Sequence, residues 1–285
     1  MEGEDQDTDD PRSFQKAKWW KRLIILVAGS AMNLIAGILI MAIVFLPAKQ
    51  FITPTISAIE EGSLVGGENG FHVGDTILEV DGEKIYVQSD FGTILSLNPG
   101  DVHDVVVERN GQRVELNNFE MKKTTFSGEE EPRYGINFSL EDATFGSKLG
   151  YAWKNVLNSV RIVRLSLQML VTGQVGLTDM SGPVGIMGQM SDVAAESATW
   201  VDALLNMLYF GAFIAINLAI MNMLPIPALD GGRVLALLIT TLIVKITKKP
   251  VNPKIEGYIH AGGMILLLIF MAVIMFKDIF VIFKG

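Results

Sequence analysis

The sequence contains no cysteine, which excludes disulfides and thiolate metal sites and leaves imidazole, carboxylate and water to hold any metal. Histidine is scarce as well: His72, His103 and His260 are the full set, and no two lie four residues apart. A metal-binding His-Glu-x-x-His helix, with two imidazoles one turn apart on one face, is therefore absent from these 285 residues. Charge is missing where a soluble protein would carry it. Leu23–Leu46, Ala203–Leu229 and Gly257–Phe276 contain no Asp, Glu, Lys or Arg, and each is long enough to cross a hydrocarbon core roughly 30 Å thick. Helices buried in a large soluble core usually keep a polar stripe, so three membrane spans are expected, at 23–47, 203–229 and 257–276.

What charge there is has a pattern. The net charge is −8, but six acidic residues fall between Glu2 and Asp10, so the imbalance is largely that of a solvated tail. Met1 opens onto Glu2, Glu4 and Asp5 rather than a basic stretch and an apolar core, so no signal peptide is expected there. Lys16, Lys18, Lys21 and Arg22 precede the first span, and Arg233, Lys245, Lys248, Lys249 and Lys254 lie between the second and third. The positive-inside rule then makes 1–22 and 230–256 cytoplasmic, and 48–200 and the C-terminus extracytoplasmic. Trp19, Trp20 and Trp200 are placed as interfacial anchors.

Between the first two spans, β-favouring runs alternate with turn signals at Gly66-Gly67, Gly74-Asp75, Asp81-Gly82, Pro99-Gly100 and Asn110-Gly111, the pattern of a small strand-rich domain over 55–122. Asn110-Gly111 has the chemistry of a two-residue hairpin. A linker is expected at 123–147. Helical periodicity follows at 148–172, with Tyr151, Leu157, Val160, Val163, Leu167 and Leu170 on or near one side; an amphipathic surface helix and a plain packing helix fit equally. A Gly- and Pro-punctuated loop at 181–186 precedes the second span. His72 and His103 read as surface residues, and His260 as an interfacial histidine at the start of the third span.

The most informative stretch runs from Asn222 to Gly232, reading Asn-Met-Leu-Pro-Ile-Pro-Ala-Leu-Asp-Gly-Gly. Pro225 and Pro227 remove backbone donors, and a carboxylate near membrane depth tends to face a partner, an ion or water. On chemistry alone Asp230 is as readily the point where the chain emerges from the membrane, with Arg233 as a local ion-pair partner.

The Asn222, Pro225, Leu229, Asp230 and Gly231 pattern resembles the third-ligand motif of site-2-type intramembrane zinc proteases, the regulator-of-sigma type in bacteria. The resemblance implies that Asp230 is a zinc ligand and that Asn222 hydrogen-bonds substrate backbone. Ala28 to Asn33, with Gly29 and Asn33, is similar to the small-residue segment of the family's second span. Ser181 to Gly185, with Gly182 and Pro183, is similar to the loop before its third span. Gly70 to Gly82, with Gly74, Asp75 and Gly82, looks like the middle of a bacterial PDZ domain, and Tyr134-Gly135-Ile136 resembles a PDZ chain-end loop in permuted order. The fold implied is an α-helical membrane protein with an inserted extracytoplasmic α+β PDZ-like domain. The activity implied is Zn2+-dependent cleavage of membrane-spanning regulatory proteins in the lipid bilayer, with no nucleic acid involved. Because the family's ligand helix precedes the small-residue span, a further span carrying His-Glu-x-x-His is expected upstream of Met1, and this chain alone is expected to be inactive. A non-catalytic membrane adaptor that binds extracytoplasmic peptides is the alternative. A transporter with a broken helix predicts related repeats, and none is visible.

Overall fold

The computed structural model describes residues 16–126, 128, 131–176, 182–195, 197–248 and 253–284; the acidic run 2–10, Ser181 and Lys249 lie outside them. In chain order the elements are α1 (Trp19–Phe45), β1 (Gln50–Ile59), β2 (Thr76–Val80), β3 (Glu83–Lys84), α2 (Gln88–Leu97), β4 (Val102–Arg109), β5 (Gln112–Glu120), β6 (Ile136–Asp142), α3 (Phe145–Thr172), α4 (Pro183–Ala195), α5 (Trp200–Asn222), α6 (Asp230–Thr247) and α7 (Pro253–Lys284). They form two compact units, Phe45–Asn158 and a helical unit of Met1–Val44 with Ser159–Gly285.

In the helical unit, α1, α5 and the Gly257–Phe280 part of α7 are long and apolar enough to cross a membrane. Only 17%, 17% and 6% of their most apolar windows are buried, so their apolar side chains face outward, the distribution expected where lipid is the solvent. α1 and α5 cross closely at Gly37: a Cβ there would lie 2.6 Å from Ile216 Cγ1 and 3.1 Å from the Ala212 carbonyl. Only a residue without a side chain allows that approach.

α5 is capped by Thr199, whose hydroxyl accepts from the Asp202 N–H at 3.1 Å. It ends at Asn222 instead of running to Leu229. Pro225 and Pro227 cannot donate into a helical ladder, and the chain turns through short local bonds, Ile226 N–H to the Leu224 carbonyl at 2.7 Å and Leu229 N–H to the Ile226 carbonyl at 3.2 Å. The stretch 230–256, expected as a plain connection, holds the 18-residue α6. Likewise 181–186 is not all loop, because α4 begins at Pro183, where proline's fixed φ suits a first helical turn.

The second unit is a six-stranded antiparallel sheet, ordered β5-β4-β2-β1-β6, with β3 paired to β2. Its core is Ile56, Val65, Phe71, Ile77, Val80, Val105, Val107 and Met121, with Phe91, Ile94 and Leu95 of α2 packed into it. Along β4, His103, Val105 and Val107 point inward, the period of two expected of a half-buried strand. Asn110 and Gly111, at φ 53° and 76°, make the tight turn between Arg109 and Gln112. Asp81 and Gly82, at φ 50° and 78°, do the same between Val80 and Glu83. Residues 136–142, expected as linker, form β6 on β1 and enlarge the sheet beyond 55–122.

α3 differs in character from its sequence pattern. Its buried side includes Asn155, Asn158, Ser159 and Arg161 with Ala152, Val156 and Val163, while Trp153, Val160, Leu170 and Val171 are exposed. The helix thus buries polar and apolar groups together, and it exposes Lys154, Arg164 and Gln168 beside those apolar residues.

Candidate functional site

Asp230 opens α6, directly after Leu229 as N-cap. Ser30 of α1 donates a long hydrogen bond of 3.5 Å to Asp230 Oδ2. A Cβ on Gly29 would lie 3.6 Å from the same oxygen, so glycine leaves open space beside the carboxylate. The structure thus brings two of the motif stretches together, the small residues of α1 and the Asp-Gly turn. Asn33 stands one turn further along the same side of α1. Asn222 is the last residue of α5 and half-buried, and its amide has no hydrogen-bond partner among the described residues. Pro225 lies exposed in the turn. Gly231 is buried, and a Cβ there would collide with the Met223 and Leu224 carbonyls, so the turn folds back tightly onto the start of α6.

His260 is drawn to this turn but not as a ligand. The Ala228 N–H donates to its Nδ1 at 3.1 Å, and Arg233 Nε–H approaches Nε2 at 3.0 Å. Both ring nitrogens face protein donors, so neither is offered to a cation. Among the described residues no three His, Cys, Asp or Glu side chains converge. Asp230, with open space beside it at Gly29, has the chemistry of a single carboxylate donor, and among the described residues no second His, Asp or Glu pair joins it to make a three-ligand cluster.

Asp278 carries a role that the sequence pattern did not suggest. Its Oδ2 accepts the N–H groups of Gly182 and Gly185, each at 2.9 Å, and so caps α4, whose preceding glycine has no side chain to do so. A Cβ on Gly182 would lie 2.8 Å from Ile274 and 2.9 Å from Asp278 Oδ2. A carboxylate at the end of a hydrophobic run is the available signal, but Asp278 lies just past the expected span end at 276.

In the sheet unit the three residues singled out from sequence are framework. Gly74, at φ 94°, and Gly82 make turns. Asp75 is fully buried, accepting from Arg109 Nε and Nη2 at 2.8 and 2.7 Å and from the His72 N–H at 2.8 Å. Burial alone would raise the Asp75 pKa, but the Arg109 hydrogen bonds, the His72 amide and the neighbouring positive charge outweigh it and hold the carboxyl below its usual range. His103, expected at the surface, is buried with Nδ1 2.8 Å from Asp81 and Nε2 2.9 Å from the Gly100 carbonyl. The inward phase of β4 explains the difference. A cavity of about 730 Å3 opens beside α2, with Leu64, Leu95, Met121, Lys122, Lys123 and Tyr134 among its lining. The next residue, Gly135, has φ 66° and leads into β6, an edge strand of the sheet.

Three apolar helices, with a carboxylate placed just after the proline-containing turn that follows one of them, define a polytopic membrane protein. Comparison with known proteins is specific: residues 1–270 match Peptidase family M50, and the chain belongs to that family, which is zinc-dependent. It is 31% identical over 285 residues to a Clostridium acetobutylicum protein assigned by name to the zinc metalloproteases, covering 98% of this chain and 78% of that one. It is 31% identical over 278 residues to the regulator of sigma-W protease RasP of Bacillus subtilis, covering 94% of this chain and 61% of RasP. The zinc metalloprotease RasP of Oceanobacillus iheyensis is 28% identical over 272 residues, with 94% and 62% covered. The chain thus spans about three-fifths of the RasP relatives. With its three apolar helices and this family membership, the chain is an integral membrane protein.

Proposed function

We propose that this chain is the greater part of a zinc-dependent intramembrane endopeptidase that cleaves membrane-spanning segments of regulatory proteins. The supporting observation is the placement of Asp230: a carboxylate at the break between α5 and α6, held against Gly29 and Ser30 of α1. Asp230 is one zinc ligand. The two imidazoles and the glutamate that activates water come from a His-Glu-x-x-His segment outside these 285 residues, and zinc then supplies a nucleophilic hydroxide at neutral pH. Asn222, whose amide has no hydrogen-bond partner among the described residues, hydrogen-bonds an unwound substrate strand. The proline-broken turn supplies the locally irregular backbone that such a cleft needs.

The test is a zinc and cleavage assay on the 285-residue chain and on a version joined to a His-Glu-x-x-His span, both in lipid. Stoichiometric zinc and cleavage of a membrane-spanning substrate are expected only in the joined form, and both disappear in its Asp230→Asn variant. Stoichiometric zinc in the 285-residue chain alone sinks the proposed division of ligands.

The sheet unit reads as an extracytoplasmic PDZ-like domain, with 1–22 and 230–256 on the cytoplasmic side. The cavity beside α2, with two lysines at the Tyr134-Gly135 turn and an edge strand next to it, supports peptide binding by strand addition. It also supports the second reading, a membrane adaptor that binds peptides and cleaves nothing. Binding of a peptide with a free carboxylate, lost on amidation, tests the domain; binding without cleavage by the joined form favours the adaptor. Single cysteines in this cysteine-free chain, labelled by an impermeant maleimide, test the sidedness.

A further inference from the structure

Ala228 is the one residue of the described helical unit, apart from glycine and the α6 cap Lys248, with a positive φ, at 89°. A side chain at such an angle is strained and persists only where its surroundings fix it. The fixing groups come from α7. The Ala228 N–H, turned out of any helical ladder, donates to His260 Nδ1 at 3.1 Å. One turn along, Gly263 brings the α7 backbone onto the same loop, where a Cβ would lie 2.7 Å from the Pro227 carbonyl carbon and 2.8 Å from its oxygen. Positions 260 and 263 share one face of the helix, so the imidazole and the glycine act on adjacent parts of the Leu224–Leu229 turn. Two residues after Ala228 comes Asp230.

We infer that His260 is a positioning residue: its Nδ1 takes the Ala228 N–H and holds the turn in the shape that delivers the Asp230 carboxylate to α1. A neutral imidazole has one lone pair, so it accepts from Ala228 or from Arg233, not from both. The backbone amide is the fixed claimant. A half-buried N–H with no other acceptor costs free energy wherever it is left unpaired, whereas the long guanidinium side chain reaches alternative partners and water. The ring is thus the Nε2–H tautomer when it holds the turn. The importance of this geometry for metal binding rests on the proposed role of Asp230, but the geometry itself does not.

The chain has no cysteine, so a Ser30→Cys, Asp230→Cys pair reports the approach of the turn to α1 without background, in lipid nanodiscs and with no need of zinc or activity. In the His260→Leu background its oxidative cross-linking is expected to slow about tenfold, the scale set by losing one hydrogen bond that selects a loop conformer. His260→Asn, which keeps an acceptor near the Nδ1 position, restores the rate. His260→Gln, whose acceptor lies nearer Nε2, does not. A parental rate in His260→Leu overturns the inference, and so does restoration by glutamine but not by asparagine. Protease protection of residues 183–195, which Asp278 caps near the other end of α7, reads the rest of the helical unit. It stays unchanged in His260→Leu if the effect is local, and a parallel fall there also overturns the assignment. Zinc measurements on the joined form test Asp230 separately.

Discussion

The Gly182 amide donates to the Asp278 carboxylate at 2.9 Å across 96 positions of sequence, and the Gly185 amide reaches the same oxygen. α4 is therefore capped by a side chain of α7. Asp278→Leu leaves both amides without their acceptor, and residues 183–195 are expected to become more susceptible to protease in lipid. Asp278→Asn keeps an oxygen acceptor and retains most of the protection. Mass spectrometry of the limited digest distinguishes the two.

Gly37 sets how closely α1 and α5 approach. Its missing Cβ would lie 2.6 Å from Ile216 and 3.1 Å from a backbone carbonyl, and the carbonyl cannot rotate away. Gly37→Val is expected to destabilise the helical unit by about 1–3 kcal/mol through overpacking. Thermal unfolding in detergent measures this, and pairing the change with Ile216→Ala recovers part of the loss.

Asp75 ties the 70–75 loop to β4 through Arg109. Asp75→Ala leaves the guanidinium and the His72 amide without their acceptor and is expected to cost about 3 kcal/mol, the low end for breaking a buried pair, because Arg109 retains some access to water. Pulse proteolysis of the sheet unit within the whole chain reads this loss.

The same carboxylate gives the sheet unit an acid limit. Asp75 is held below its ordinary pKa as described, and so is Asp81, where burial is outweighed by hydrogen bonds from His103, the Asp104 amide and Asn98. Each folded pKa lies below its unfolded value, so the stabilisation is complete above about pH 4 and is lost as the pH falls through the folded values. Unfolding of residues 45–158, followed by denaturant from pH 6 to 2, should show that limb, and Asp75→Asn should flatten it.

Asp230 is expected to behave in the opposite way. Its side chain has one long hydrogen bond among the described residues, so Asp230→Asn should change the unfolding free energy by about 0.5 kcal/mol or less, while removing zinc from the joined protein. Zinc content measured beside thermal unfolding separates a ligand from a structural residue.

The sequence announced what periodicity and turn chemistry encode locally. Uncharged runs gave the three apolar helices and Asn110-Gly111 gave the β4–β5 turn, whereas Asp230 stood out only through the resemblance of the Asn222–Gly231 stretch to a ligand motif. What stayed hidden depends on contacts distant in sequence. β6 joins the sheet only through β1, some eighty positions earlier. His260 and Asp278 matter through backbone amides at 228, 182 and 185, and an amide leaves no trace in residue identity. α6 escaped notice because Arg233, Thr240, Thr241 and Lys245 interrupt its apolar run. α3 keeps only part of its expected face inward: Val163 is buried, Tyr151, Leu157 and Leu167 are half-buried, and Val160 and Leu170 are exposed.

The Gly182–Asp278 bond also imposes an order on biosynthesis. At about 5–20 residues per second, the ribosome finishes α4 roughly 5–20 s before the carboxylate that caps it has been made. During that interval the helix start must rely on water or translocation machinery for its acceptors. The seat of α4 that Asp278 holds is complete only once the end of α7 has arrived.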